Sequence, residues 1–152
     1  MNTKNFNIYR LAFLLGVLSL TACTNDDSPT TNTQNQIQSN IQNGTWRITK
    51  FIDSGTDETS HFTGYNFTFT GTGVLNASNG TNNYNGTWNI TDNNSNDDSQ
   101  DDLDFTINFN LVNDFQDLNE DWTFISQNAT KIELIHISGG NGGTDYLTFE
   151  KN

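Results

Sequence analysis

Leu103, Phe105, Ile107 and Phe109 alternate with Asp102, Asp104, Thr106 and Asn108, giving that segment one apolar and one polar face. Successive side chains of an extended chain point to opposite faces, so this period of two predicts a half-buried strand. The same rule recovers Trp46, Ile48 and Ile52, with Lys50 interrupting the row, and then Tyr65, Phe67 and Phe69. Further along it picks out Trp88 with Ile90, Ile132 with Leu134, and Leu147 with Phe149. Gly71 to Gly73, Asn79 to Asn83, Asp92 to Gln100 and Gly139 to Gly143 supply turn chemistry between the rows. Eight strands are predicted, near 45–53, 60–70, 73–78, 83–91, 102–110, 121–127, 130–138 and 144–150.

One segment breaks the series. Leu111, Val112, Phe115 and Leu118 fall at helical spacing, which predicts one short helix or 3₁₀ turn near 111–118. Eight short antiparallel strands make either a closed up-and-down barrel or a two-sheet sandwich. Hairpin-length loops favour a meander. Closure also removes exposed sheet edges, a liability where few lysines are available to blunt them. The expected fold class is therefore all-β, an eight-stranded antiparallel up-and-down barrel.

The chain starts differently. Lys4 and Arg10 flank the apolar run Leu11 to Leu20, the pattern of a secretory signal peptide over residues 1–22. That run is too short to span, since a bilayer requires about 20 apolar residues. Leu20-Thr21-Ala22-Cys23, which includes the only cysteine, resembles a bacterial lipobox. The resemblance implies cleavage before Cys23, a diacylglyceryl group on its thiol and a further acyl chain on its amine. Several chains, each buried CH₂ contributing about 0.8 kcal/mol, make a lasting membrane anchor where one would not. The expected location is the outer membrane, on its periplasmic or its cell-surface side. Asp26 and Asp27 resemble the short acidic stretch that many Bacteroidota lipoproteins use for surface export, and they fit a plain solvated linker equally well. Residues 23–42 are nearly all Thr, Asn, Gln, Ser and Asp, with the sole proline and two lone isoleucines, and are predicted to be a flexible tether. The domain proper is placed at 43–152.

Beyond Cys23 the only cations are Arg47, Lys50, Lys131 and Lys151, against all 18 acids. Phosphate binding requires clustered Lys and Arg, so nucleic acid is excluded as a partner, and an anionic bilayer surface would be repelled. The aromatic residues in alternating runs argue for a folded core of ordinary domain size and against disorder.

Gly44-Thr45-Trp46-Arg47-Ile48-Thr49 and Gly86-Thr87-Trp88-Asn89-Ile90-Thr91 are near-copies. A Gly-x-Trp opening the first strand resembles the lipocalin signature, in which the tryptophan closes one barrel end. The run from Gly44 to Lys151, including Leu118-Asn119-Glu120-Asp121-Trp122 and Leu147-Thr148-Phe149-Glu150-Lys151, is similar to lipocalin-like lipoproteins of Bacteroidota. The resemblance implies a lipocalin-like barrel with Gly44 and Trp46 as barrel-closing residues. Two departures stand out. Thr144-Asp145-Tyr146 matches a second lipocalin motif in letters but opens the last predicted strand, later than that motif belongs. Lipocalins also set a late arginine against the first tryptophan, whereas here the late cations are Lys131 and Lys151, neither a planar guanidinium. For Trp88 a core position is favoured over a ligand contact.

Other motifs carry less. The acid-rich run Asp92 to Asp102 offers oxygen ligands for calcium, but an EF-hand loop starting at Asp92 would need glycine in place of Asp97 and glutamate in place of Leu103. A solvated hairpin loop is the better reading. Ser138-Gly139-Gly140-Asn141-Gly142-Gly143 occurs once, without the stacked repeats of calcium-binding β-helices and without the lysine of a phosphate loop. His61 and His136 lie on separate predicted strands, and no nucleophile-elbow or zinc-protease spacing is present. His136 shares the face of Ile132 and Leu134, a position that suits a core histidine.

Neither an enzyme nor a resident cofactor or metal is expected. An open barrel would line a cavity for a small apolar ligand with Phe67, Phe69, Phe105, Phe109 and Trp122, since eight strands leave room for one such molecule. A barrel packed solid would bury the same rings as core. The protein would then be a structural or interaction module of the envelope that meets a protein or glycan through its acidic surface.

Overall fold

The computed structural model of the chain describes residues 30–92, 102–140 and 142–152. The leader, Cys23 and most of the acid-rich run lie outside the described residues. Helix α1 (Thr30–Gln42) leads into β1 (Trp46–Asp53) and β2 (Thr56–Asp57), followed by a 3₁₀ turn at Thr59–Phe62. Then come β3 (Asn66–Phe69), β4 (Val74–Ser78), β5 (Asn83–Asp92) and β6 (Leu103–Asn108). A 3₁₀ turn at Asp114–Leu118 precedes β7 (Asp121–Gln127), β8 (Lys131–Ile137) and β9 (Thr144–Lys151).

From β3 to β9 each strand pairs antiparallel with the next in chain order. β1 closes the ring, running beside β9 from Trp46 opposite Lys151 to Ile52 opposite Tyr146, and meeting β3 at Trp46 opposite Phe67. The result is a closed eight-stranded antiparallel barrel with one helix, of the lipocalin-like kind, in which β2 is a two-residue flap on the end of β1. The seam between β1 and β3 is short. Beyond it the 3₁₀ turn satisfies the edge of β1: Phe51 N donates to Thr59 Oγ1 at 2.8 Å and Glu58 N donates to Phe51 O at 2.9 Å.

Most predicted strands appear within a residue or two of their expected limits, because alternation is enforced wherever one face is buried. Four expectations change. The stretch 60–70 is a strand only from Asn66; before it the 3₁₀ turn and Gly64, at φ 82°, bend the chain. A bulge between Ile48 and Lys50 shifts the phase of β1, so Phe51 is buried and Ile52 is only half-buried. Near 111–118 only Asp114–Leu118 is helical, burying Phe115 and Leu118 while Val112 is fully exposed. The fourth change concerns the tether: its last thirteen residues are α1. Ile37 and Ile41, four apart and so on one face, are both buried in the same core as the strands.

The near-copies do different work. Gly44 holds φ 94°, a conformation that L side chains rarely adopt. Gly86 lies where a Cβ would press on the Asn108 carbonyl and come within 2.8 Å of Phe109 Cδ1. Trp46 donates its indole N–H to Ile41 O at 2.8 Å and so ties α1 to the barrel, whereas Trp88 donates to Thr70 O at 3.0 Å in the turn between β3 and β4.

Candidate functional site

The barrel interior is where the sequence places a ligand, and its occupants are aromatic rings. Phe67, Phe69, Phe105, Phe109 and Trp122 are all brought inside, each at most 1% exposed. Their neighbours are other rings. Phe69 meets Phe149 at 5.5 Å, Trp88 at 5.4 Å and Phe105 at 5.8 Å between centroids. Phe105 meets Phe124 at 5.6 Å, and Phe67 meets Phe149 at 5.4 Å. Several of these pairs are edge-to-face, an arrangement worth about 0.5–1.5 kcal/mol each beyond the area buried.

Both ends of the barrel are covered. At the end where β1 starts, α1 lies across the opening with Ile37 and Ile41 inward. Gln34 Nε2 donates to Ile90 O at 2.7 Å and Asn40 Nδ2 to Gln127 Oε1 at 3.3 Å, which fixes the helix to β5 and β7. Here too the missing arginine has a substitute: Lys151 Nζ stands 5.0 Å from the centre of the Trp46 ring. An ammonium over an aromatic face keeps the cation–π attraction and loses only the planar stacking.

At the opposite end the stopper is Phe115, on the Asp114–Leu118 turn. Its ring meets Phe62 at 5.4 Å, Tyr65 at 5.0 Å, Tyr84 at 4.9 Å, Phe109 at 5.0 Å and Phe67 at 6.1 Å. Asn113 Oδ1 accepts from Phe115 N at 3.2 Å, and Asn119 Nδ2 donates to Phe109 O at 2.9 Å, so both ends of the turn are pinned. Phe62, from the other 3₁₀ turn, meets Phe51 at 5.4 Å, and Phe51 meets Trp122 at 6.4 Å. Sequence reasoning left Phe115 and Phe62 out of the wall because neither belongs to an alternating row.

The rim around this second end is acidic. Partial burial, with the Asp53 and Asp114 carboxylates nearby, raises the Asp117 carboxyl above its ordinary value, and His61 works in the other direction. His61 Nδ1 lies 3.9 Å from both Glu58 and Asp114, bridging the two 3₁₀ turns loosely at the surface. His136 stands apart from it, with Nδ1 2.8 Å from Glu120 Oε2 and its ring 6.1 Å from Trp122. That nitrogen is buried, and the carboxylate lies outside hydrogen-bond geometry. The two histidines thus face separate acids. Among the described residues no group of three or more His, Cys, Asp or Glu is placed to hold a metal ion.

Outside the wall, where α1 meets β5 and the β3–β4 turn, a shallow polar pocket of about 80 Å³ is lined by Gln38, Gln42, Gly71, Gly73, Trp88 and Asn89.

No protein-family model matches this chain, and no curated protein matches it. Among solved structures, a similar one is the crystal structure of a DUF4847 family protein from Bacteroides vulgatus at 1.00 Å resolution. The two chains are 16% identical, with a TM-score of 0.49, and the match covers 76% of this chain and 97% of that one.

Proposed function

We propose that this protein is a lipid-anchored lipoprotein of the bacterial outer membrane whose barrel is a solid scaffold, acting through its outer surface on a protein or glycan of the envelope. The observation that carries this reading is the filled interior: the five rings that an open barrel would offer to an apolar ligand are packed against other rings. α1 covers one mouth and the Phe115 turn the other. An apolar guest would have to displace Phe115 and the rings it contacts. The anchor is Cys23, with residues 1–22 removed as a leader, and the periplasmic or outward side follows from export. The reading assigns no catalysis, in keeping with two histidines that face separate carboxylates.

α1 shortens the tether. Seven positions separate Cys23 from Thr30, and at ~3.3–3.6 Å per residue their reach is at most roughly 25 Å. The anchor therefore keeps the α1 end of the barrel close to the bilayer and turns the Phe115 end outward.

The test is a titration of residues 24–152, which include every described element, with an apolar environment-sensitive fluorophore, following probe emission and tryptophan quenching. A filled scaffold gives no saturable signal while the protein stays folded. Saturable one-to-one binding to the folded chain would overturn the reading in favour of a carrier of small apolar ligands.

A further inference from the structure

The barrel closes without α1. Its ring, from β3 through β9 and back to β1, is completed by strand pairs alone. The helix is held by a short set of contacts: Ile37 and Ile41 are buried, Gln34 and Asn40 each reach one strand, and Ile41 O accepts from the Trp46 indole. Trp46 keeps its place without the helix, because β1 is paired with β9 from Trp46 to Ile52 and Lys151 stands over the ring. α1 can therefore leave without breaking a rung of the sheet.

Once away, the helix has little to sustain it. Its first turn carries no acid and its last turn no base, so the macrodipole is uncompensated at both ends. Thirteen residues, seven of them Thr, Asn or Ser, are marginal as a helix in water, so undocking and melting are one event. The joint is Asn43-Gly44-Thr45, where Gly44 at φ 94° is free to adopt many other conformations and Asn43 N donates to Asn40 O at 3.3 Å. We propose that α1 is a releasable strap: in the folded protein it undocks and melts as one unit from an intact barrel, switching the tether between a short and a long form. The change in length rests on Cys23 being the anchor. With α1 docked, seven positions separate Cys23 from Thr30; with α1 released, twenty separate Cys23 from Asn43. At ~3.3–3.6 Å per residue the reach then rises from at most roughly 25 Å to at most roughly 70 Å. The docked form keeps the barrel beside the bilayer, and the released form carries its outer surface to partners farther out.

The experiment follows hydrogen exchange of residues 24–152 by NMR at several urea concentrations below the unfolding transition. Amides 34–42 are expected to share one opening, roughly a hundredfold or more commoner than the opening that limits the slowest strand amides. Its urea dependence should be much smaller than theirs, because little surface is exposed. Exchange with the rate and urea slope of the strands would overturn the proposal, since the helix would then open only with the barrel. Protection graded residue by residue from the Thr30 end would overturn it as fraying, and no protection at all would mean that the helix is not docked. The length change is read on the lipidated full chain in vesicles, with a donor on Val112→Cys and an acceptor on the lipid headgroups. Adding Ile37→Ala with Ile41→Ala should lower energy transfer markedly, and unchanged transfer would show that the strap does not set the distance from the bilayer. Failure of the chain to attach to vesicles would overturn the anchor and with it the change in reach, while exchange in the soluble residues would still report release, so the two failures are distinguishable.

Discussion

Phe115 is the residue on which the closed state of the barrel depends most directly. It is 3% exposed and in contact with five rings contributed by four different segments. Removing it deletes a large buried side chain and leaves a cavity whose lining is too heavily cross-packed to collapse. Phe115→Ala should therefore destabilise the protein by about 3–5 kcal/mol, read from urea unfolding of residues 24–152. The same variant should acquire fluorophore binding that the parent lacks, since an apolar cavity of this kind stays dry and accepts apolar guests. An unchanged urea midpoint would show that the ring is peripheral. Loss of stability without gain of binding would mean that the remaining rings close over the gap. Lys151 makes a related point about substitution: the sequence signalled a missing arginine, yet the register of β9 against β1 brings a lysine over Trp46.

At the scale of elements, the parts legible in the sequence are those whose pattern is local. β6 shows it best, because Leu103, Phe105 and Ile107 need only face one way for the row to appear. Where a bulge intervenes, the row changes phase without any compositional sign, and Phe51 replaces Ile52 inside. A second bulge, between Phe124 and Ser126, coincides with an outward-facing Ile125. α1 was illegible for a different reason. Its seven Thr, Asn and Ser residues lower its intrinsic helicity, and thirteen residues are marginal for an isolated helix in water, so it is helical because it is docked. Only the i, i+4 spacing of Ile37 and Ile41 announced it. Their joint replacement, Ile37→Ala with Ile41→Ala, should release the helix, since each buried isoleucine truncation costs about 2–5 kcal/mol. Hydrogen exchange should then show loss of protection in residues 33–42, together with a red shift of Trp46 emission as its bond to Ile41 O is lost. Retained protection would show that Gln34 and Asn40 hold the helix without the isoleucines.

For the molecule as a whole, alternation placed the five candidate wall residues in the interior but did not reveal what else was there, because Phe62 and Phe115 arrive on turns outside the strand pattern. The closed ends also give the barrel a direction. The α1 end contains the start of β1, the end of β9 and the β7–β8 turn at Asn128–Thr130. The opposite end contains the Asp114–Leu118 turn and the exposed Val112. Eight residues of β1 at about 3.3 Å each, tilted as barrel strands are, separate the ends by roughly 20 Å. If Cys23 carries the lipid, a short reach from the anchor to Thr30 holds the first end down. Because the chain has a single cysteine, Asn128→Cys and Val112→Cys each introduce one free thiol for a fluorophore once Cys23 is acylated. In vesicles bearing a headgroup quencher, the label at position 128 should be quenched markedly more than the label at 112. Equal quenching would mean that the barrel tumbles freely on its tether, and the reverse order would place the Phe115 end against the membrane.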